Sequence, residues 1–334
     1  MFIVESYSLA IALCVLTMIC WGSHANTLKM VPKTWAFPLY YWDQALGYVL
    51  LPLIVGLTLG SLGSSGRSLL DDFSQASAHS YGMASLGGLV FNLANILFTS
   101  AIAIAGMAVA FPIGIGIALV EGVIINYIAN PGGNPVLLLI GVTLIAIAIM
   151  LDAMAYRRLK TEVDESEIIR GIVLALVGGI LMGLFYYLVQ RSLSADFHHL
   201  ERGKFGPYAA VLVFAASSLV SNLIFNTYLM ARPFKGKPVK FSAYTATGSS
   251  RLHLIGILGG MINGTGTTSN VIASQVASPA IAYGLGQGAT MVAAIWGVFA
   301  WKEFRAAPEG TNGMLAAMFL LFVIGLALLI VAKL

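Results

Sequence analysis

One carboxylate lies deep within an apolar stretch of this sequence and is the clearest candidate for proton chemistry. Glu121 stands between Val120 and Gly122, far from any other charged residue. A charge at the centre of a membrane helix costs about 2.5–3.5 kcal/mol on insertion scales, so such residues are functional candidates by default. A desolvated carboxyl can bind and release a proton near neutral pH, as proton-coupled transport requires. The alternative is a structural carboxylate that is hydrogen-bonded to a neighbouring helix.

Two further titratable residues lie near the ends of apolar stretches. Asp43 follows Tyr40, Tyr41 and Trp42, an aromatic run typical of a membrane interface. It is either a second proton-coupling residue or a helix-start carboxylate that the helix dipole stabilises. His24 is either a substrate-binding residue or a packing residue with a hydrogen bond. Asp152 and Lys302 fall at predicted helix ends, and we expect both to be solvated.

Neutral polar side chains form a larger group, concentrated in the third and eighth apolar stretches. Amides donate and accept hydrogen bonds, so they suit a neutral polyol or an amide-rich heterocycle, and aromatic rings can stack on either. The alternative role for these residues is hydrogen bonding between helices. With His24, the predicted substrate-binding residues are Trp21, Asn26, Asn92, Asn95, Tyr186, Gln190, Asn263, Thr267, Tyr283 and Gln287.

The elements that must position these residues are membrane helices. Of 334 residues, 58% are hydrophobic and 10% charged, against roughly 25% charged in soluble domains. A spanning helix needs about 20 mainly apolar residues. Ten stretches have that length, so the sequence predicts an all-α, polytopic membrane protein with helices near 7–28, 40–62, 83–105, 108–128, 135–155, 171–193, 207–230, 252–273, 279–301 and 311–332.

The basic residues are divided unequally between the two predicted sides of the membrane. Thirteen of the 18 Lys and Arg fall in the loops of one side. Because cytoplasmic loops carry the excess of positive charge, we expect both termini to face outward. The termini and the even-numbered loops hold the remaining five: Arg67, Arg191, Arg202, Lys204 and Lys333.

An internal repeat links the two parts of the chain. Residues 107–116, MAVAFPIGIG, match residues 279–288, PAIAYGLGQG, at an offset of 172 positions, and residues 87–88 match residues 259–260 as Gly-Gly pairs at the same offset. Because the offset covers five helices, an odd number, the second copy enters the membrane from the opposite side. The sequence therefore predicts two inverted five-helix repeats, over residues 1–160 and 161–334; chance similarity of Ala- and Gly-rich helices is the alternative.

This layout resembles that of the drug/metabolite transporter superfamily, which has tight turns between helices 3 and 4 and helices 8 and 9. Cys20, Trp21, Gly22 and Ser23 resemble the CWGS signature of bacterial glucose/ribose porters, and residues 87–130 resemble their helix 3–4 region. The L-rhamnose–proton symporters and the plant ureide permeases are similar relatives. The resemblance implies a central cavity lined by helices 3 and 8. The chain departs from the plant ureide permeases because its central loop, 156–170, is short and lacks their nucleotide-motif-like sequence.

These features favour a secondary active transporter that takes up a small neutral polar solute, such as a monosaccharide, with a proton as coupling ion. A nucleoside, nucleobase or ureide permease is the main alternative, followed by an exporter of drugs or amino acids. No nucleophile–base pair or metal-ligand spacing is present, so we expect no enzyme activity, no cofactor and no nucleic-acid partner. We expect a monomer or homodimer in the lipid bilayer of a bacterial inner membrane.

Overall fold

Helices make up nearly all the regular structure in the part of the chain that the computed structural model describes, residues 1–63, 65–159 and 165–334. The predicted boundary between the halves and Lys160 lie outside those residues. An isolated bridge pairs Leu193 with Phe205. The helices are α1 Tyr7–Ser23, α2 Asn26–Lys29, α3 Phe37–Leu57, α4 Leu69–Gln75, α5 Ala78–Ala105, α6 Met107–Ala129, α7 Pro135–Arg157, α8 Glu165–Ser192, α9 Pro207–Ala231, α10 Ser242–Ala246, α11 Ser250–Ala277, α12 Pro279–Gly286, α13 Ala289–Ile295, a π-helical turn Trp296–Ala300, and α14 Thr311–Val331.

Each predicted apolar stretch corresponds to a long helix or to consecutive short ones. Helix α5 starts five residues before the predicted 83, because Ser77 caps its N-terminus by accepting a hydrogen bond from Ser80 N at 3.3 Å, which satisfies an amide that the helix leaves free. The ninth stretch is interrupted rather than continuous, because Gln287 and Gly288 separate α12 from α13.

Eight of these helical segments are long and apolar enough to cross a membrane: Tyr7–Lys29, Ala78–Ala105, Met107–Ala129, Pro135–Arg157, Glu165–Ser192, Pro207–Ala231, Pro279–Ala300 and Thr311–Val331. Eight of the ten predicted membrane-spanning helices therefore have the length and composition that a span requires. Helices α3 and α11 have 21 and 28 residues but are not among these eight, and they pack against one another within the same bundle. Their membrane crossing remains a prediction.

The two ends of the bundle are distinguished by their contacts. At one, which we call the termini end, the Met1 amine donates to the Ser65 carbonyl, and Asn134 N donates to Ala332 O at 2.6 Å. The opposite end, which we call the basic end, holds the ion pair between Lys29 and Glu303 at 2.5 Å. The names fix positions within the protein and leave its orientation in the membrane open.

Helices α5 and α11, which the repeat relates, cross the bundle in opposite directions. Helix α5 starts at the termini end, where Ser80 Oγ donates to Gly203 O at 2.7 Å. Helix α11 starts near Asp43, to which His253 is bonded, and finishes at the termini end, where Lys333 donates to the Val276 carbonyl.

The turns that follow these two helices also have matching backbones. Both helices have 28 residues, and their bounds differ by the repeat offset. Gly106 ends α5 with φ 79° and ψ 167°, and Ser278 ends α11 with φ 79° and ψ 148°. A positive φ is uncommon for any residue except Gly, so the Ser278 backbone is strained. Its side chain compensates by capping α12, accepting from Ile281 N at 3.4 Å.

The repeated glycines bring pairs of helices into close backbone contact. A Cβ at Gly88 of α5 would meet the Phe214 carbonyl of α9, and a Cβ at Gly260 of α11 would meet the Gln44 carbonyl of α3. Small residues permit such approaches in lipid, where packing drives helix association. The contacts are exchanged between the predicted halves: α5 packs on α8 and α9, and α11 packs on α1 and α3.

We expect Gly260→Ala to destabilise the protein by about 1–3 kcal/mol, the usual cost of overpacking, because the new methyl group meets α3 backbone. Gly82→Ala is the matched control, since Gly82 of α5 has open space around it and Ala favours helix. Thermal unfolding in one detergent measures both variants. A melting temperature of Gly260→Ala equal to that of the wild type would contradict the close approach.

Candidate functional site

A polar pocket of about 440 Å³ opens at the termini end of the bundle. Its volume lies within the range of about 300–1,000 Å³ that is typical of small-molecule sites. Four elements converge there: the end of α6 and its following loop, the end of α8 with the loop 193–206, the α11–α12 corner, and the C-terminus. Its polar and charged lining residues are Asn130, Gln190, Arg191, Ser194, Glu201, Lys204, Ser274, Gln275, Ser278 and Lys333.

The floor of the pocket is formed by α8 and α11. Gln190 Nε2 donates to Ser274 Oγ at 3.1 Å. One turn deeper on α8, the buried Tyr186 donates to the backbone carbonyl of Asn270 at 3.5 Å. The Asn270 side chain donates to Ala282 O at 2.8 Å, while its Oδ1 is buried with no hydrogen-bond partner among the described residues. Gln275 Oε1 is in the same state, so two amide acceptors near this floor are unpaired.

Tyr283 of α12 lies beneath the floor and joins three helices. Its ring centroid is 5.3 Å from that of Tyr186. Its hydroxyl lies 3.1 Å from both the Ala118 carbonyl of α6 and the Met182 carbonyl of α8. The ring packs over Gly122, where a Cβ would collide with it. Tyr283 is fully buried, so it closes the pocket toward the centre of the bundle.

A second group of predicted residues continues from this point toward α1. Trp21 packs against Gly286, beside which the Asn270 amide also lies, and its Nε1 donates to Thr267 Oγ1 at 3.3 Å. The Thr267 hydroxyl also bonds the Tyr48 hydroxyl at 2.8 Å. The structure therefore brings Trp21, Tyr186, Gln190, Thr267 and Tyr283 into one continuous region, three of whose members are fully buried.

Glu121, the predicted proton-coupling residue, borders this region. It lies on α6, half-buried, with its carboxyl group packed over Gly183 of α8. Within the described residues it has no hydrogen bond or ion pair. It lies close enough to Tyr283 for the two groups to interact electrostatically.

The remaining predicted binding residues lie elsewhere. Asn92 joins α3 to α9, because its amide accepts from the Tyr41 hydroxyl at 2.8 Å and donates to Ser221 at 2.9 Å. His24 and Asn95 bond the backbone of their own helices, and Asn26 accepts from Trp301 Nε1 at 2.6 Å at the basic end. Asn263 and Gln287 are buried, and no hydrogen bond of either side chain is found among the described residues.

Asp43, the second predicted proton-coupling residue, belongs to a cluster at the basic end. It is 1% exposed, bonds His253 Nδ1 at 3.0 Å and accepts from the Tyr244 hydroxyl. Burial and the neighbouring Asp43 carboxylate raise the pKa of Tyr244. These partners were not predicted from sequence, because His253 is separated from Asp43 by 210 positions and Tyr244 lies between two predicted helices.

The sequence analysis placed three polar residues incorrectly: Ser274 and Gln275 of the pocket, and Asp152 of α7. The eighth helix was predicted to end at 273, which left out Ser274 and Gln275, but α11 continues to Ala277. Asp152 was expected to be solvated at a helix end. That prediction is wrong, because Asp152 is only 4% exposed: α7 continues to Arg157 and places it more than one turn inside the helix.

The loop over the pocket is held by two acidic residues. Asp72 of α4 accepts from Gly206 N at 2.6 Å and pairs with Arg67 at 3.0 Å; burial raises its pKa, and these two partners oppose that rise. Asp196 accepts from His199, from His198 N and from Gln275 Nε2 at 3.0 Å, and these bonds hold its pKa well below the ordinary range. The bond from Gln275 Nε2 to Asp196 fixes Gln275 at the pocket edge.

Comparison with known proteins places this architecture in a family. The family model described as ureide permease matches residues 154–332. Ureide permease 1 of Arabidopsis thaliana is 25% identical over 391 residues, covering 100% of this chain and 99% of the relative. Ureide permease 4 of the same plant is 23% identical over 403 residues, again covering 100% and 99%. A solved crystal structure shares the fold, with a TM-score of 0.65 and 17% identity over 97% of both chains.

These matches support one branch of the predicted resemblance. They agree with the ureide permease branch and with the prediction of a transporter. They give no support to the glucose/ribose porter branch, to the wider superfamily or to a monosaccharide substrate, and the named relatives are plant proteins, so a bacterial inner membrane gains no support either. The chain belongs to the ureide permease family, whose members are membrane transporters and not enzymes.

Proposed function

We propose that this protein carries a ureide, or a related neutral heterocycle rich in amide groups, across a membrane by alternating access. The observation that supports this proposal is the pocket of about 440 Å³, which is lined by amide side chains and has buried tyrosines beneath its floor. The relatives that match over the whole chain are ureide permeases, and their names give the substrate class. The sequence left a ureide open as an alternative to a monosaccharide, and the relatives favour the ureide.

The hydrogen-bonding state of the pocket fits such a solute. A ureide presents several N–H donors, and the acceptors Gln275 Oε1 and Asn270 Oδ1 lack partners among the described residues. An unpaired buried acceptor costs about 1–3 kcal/mol, so a donor supplied by the solute recovers that cost. Gln190 can exchange its bond with Ser274 for one with the solute, and the buried rings of Tyr186 and Tyr283 lie beneath the floor.

Alternating access follows from two inverted repeats, which we propose for residues 1–160 and 161–334. The opposed directions of α5 and α11, their equal lengths and their matching turns support this arrangement. Transporters of this kind bind the solute between the repeats and rock one against the other. The pocket is open at the termini end, while Trp296 Nε1 bonds Ser23 Oγ at 2.9 Å at the basic end. With basic loops inside, the open end faces outward.

Uptake of radiolabelled allantoin, a ureide, by cells that express the protein tests the substrate class. We expect saturable uptake that unlabelled ureides compete away and monosaccharides do not. Gln190→Ala should raise KM about three- to tenfold, because a net hydrogen bond contributes about 0.5–1.5 kcal/mol. Asn312→Ala, which removes an exposed amide of α14, is the matched control and should leave KM unchanged. Competition by glucose but not by ureides would refute the assignment.

We also propose that Glu121 couples transport to a proton. It is half-buried beside the tyrosines of the floor and lacks a partner among the described residues, so its carboxyl is free to change protonation.

Glu121→Gln keeps the shape of the side chain and removes the titration. We expect the variant to lose accumulation driven by a pH gradient while it retains exchange of labelled for unlabelled solute. Parallel flux assays in proteoliposomes measure both activities, with Glu5→Gln, an exposed carboxylate near the N-terminus, as control. Undiminished pH-driven accumulation by Glu121→Gln would remove Glu121 from the mechanism.

A further inference from the structure

Asp152 is a buried carboxyl that lies outside the transport pocket. It lies on α7 toward the basic end, is 4% exposed and forms no hydrogen bond with the described residues. Its Oδ1 is buried and has no partner in the part of the chain that the structure describes. Removing an ionised carboxylate from water costs several kcal/mol unless charges or hydrogen bonds compensate. The group therefore needs a neutralising partner.

Asp152 interacts electrostatically with a second carboxylate, Glu303. Tyr156 follows Asp152 by four residues and so lies on the same face of α7. Its hydroxyl donates to Glu303 Oε2 at 2.6 Å, which places Glu303 against that face, where it acts electrostatically on Asp152. Two like charges in one buried position disfavour double ionisation.

The backbone that carries Glu303 is irregular. The chain leaves α13 through the π-helical turn Trp296–Ala300, a rare conformation that is frequent at functional sites. Lys302 then takes φ 53°, an uncommon value for a residue with a side chain. Glu303 N folds back to bond Gly297 O at 3.0 Å, and Gly297 leaves room for the Tyr156 hydroxyl and the Glu303 carboxylate.

The basic residues at this end of α7 and α2 are bonded to other groups or exposed. Lys29 bonds Glu303 Oε1 at 2.5 Å and lies 5.2 Å from the centre of the Trp301 ring. Arg158 donates to the Glu309 carbonyl at 3.3 Å, and Arg157 is exposed at the end of α7. Of the helices packed on α7, α14 has no titratable residue, and α6 has Glu121 and Tyr127, both in its half toward the termini end.

We propose that Asp152 is a proton-binding site, separate from the transport pocket, and that its proton stabilises the closed basic end. A metal cation would require several oxygen ligands, but both Glu303 oxygens are bonded to Lys29 and Tyr156. A proton on Asp152 removes the like charge beside Glu303. Glu303 can then hold α7 through Tyr156 and the α2 segment through Lys29, which joins the elements that close this end.

Infrared difference spectroscopy of the purified full chain tests the site without a transport assay. We expect the C=O stretch of a protonated Asp152 carboxyl to persist above the pH at which exposed carboxylates ionise, and to be lost in Asp152→Asn. Glu121→Gln is the matched control for a second membrane carboxyl and should retain that band. In Glu303→Gln the band should disappear at a lower pH than in the wild type, because a like charge has been removed.

Three results would overturn the proposal. One is an unchanged carboxyl band in Asp152→Asn, which would mean that Asp152 is ionised. Another is a band whose loss with pH is the same in Glu303→Gln as in the wild type. The third is a sodium-dependent rise in melting temperature that Asp152→Asn abolishes, which would assign the site to a metal cation. Each result is independent of whether the pocket carries a ureide.

Discussion

The backbone contact between glycine-bearing helices is the constraint on which the rest of this structure depends. Within a bilayer the hydrophobic effect does not drive helices together, so they associate where small residues allow close packing. Gly88 lets α5 lie against α9, and Gly260 lets α11 lie against α3. Both contacts join helices of different predicted halves. The interaction that stabilises the bundle therefore also forms the interface between the predicted halves, which we call the seam, and polar side chains are enclosed there.

Polar residues in that seam divide into two classes by their hydrogen bonds. Asn92 is bonded at both ends of its amide by Tyr41 and Ser221, so its role is to join helices. Asn270 and Gln275 each have an acceptor near the pocket floor that is unpaired among the described residues. Buried polar groups are normally paired, so an unpaired acceptor marks the place where a solute can add a bond. The distinction depends on pairing, which residue type alone does not reveal.

The sequence predicted the helices and the corners between them because both depend on local composition. Apolar length located the spans, and Gly106 and Ser278, which lie 172 positions apart, end α5 and α11 with similar backbone angles. The sequence analysis could not predict the cluster of Asp43 with His253, because no local pattern joins residues that are 210 positions apart. The burial of Asp152 was missed because α7 was predicted to end at 155, whereas it continues to Arg157. The contact of Glu303 with α7 was missed because the composition of the π-helical turn before it does not distinguish that segment from an ordinary helix.

The proposed transport cycle requires the two ends of the bundle to open in turn. Spin labels at Pro131 and Glu201 report the width of the termini end, and labels at Met30 and Arg305 report that of the basic end; all four residues are exposed. Distance measurements at increasing concentrations of the transported ureide should show the first pair approaching while the second pair separates, in the same fraction of molecules. Distances that stay fixed at both ends, or that widen at both ends together, would contradict alternating access.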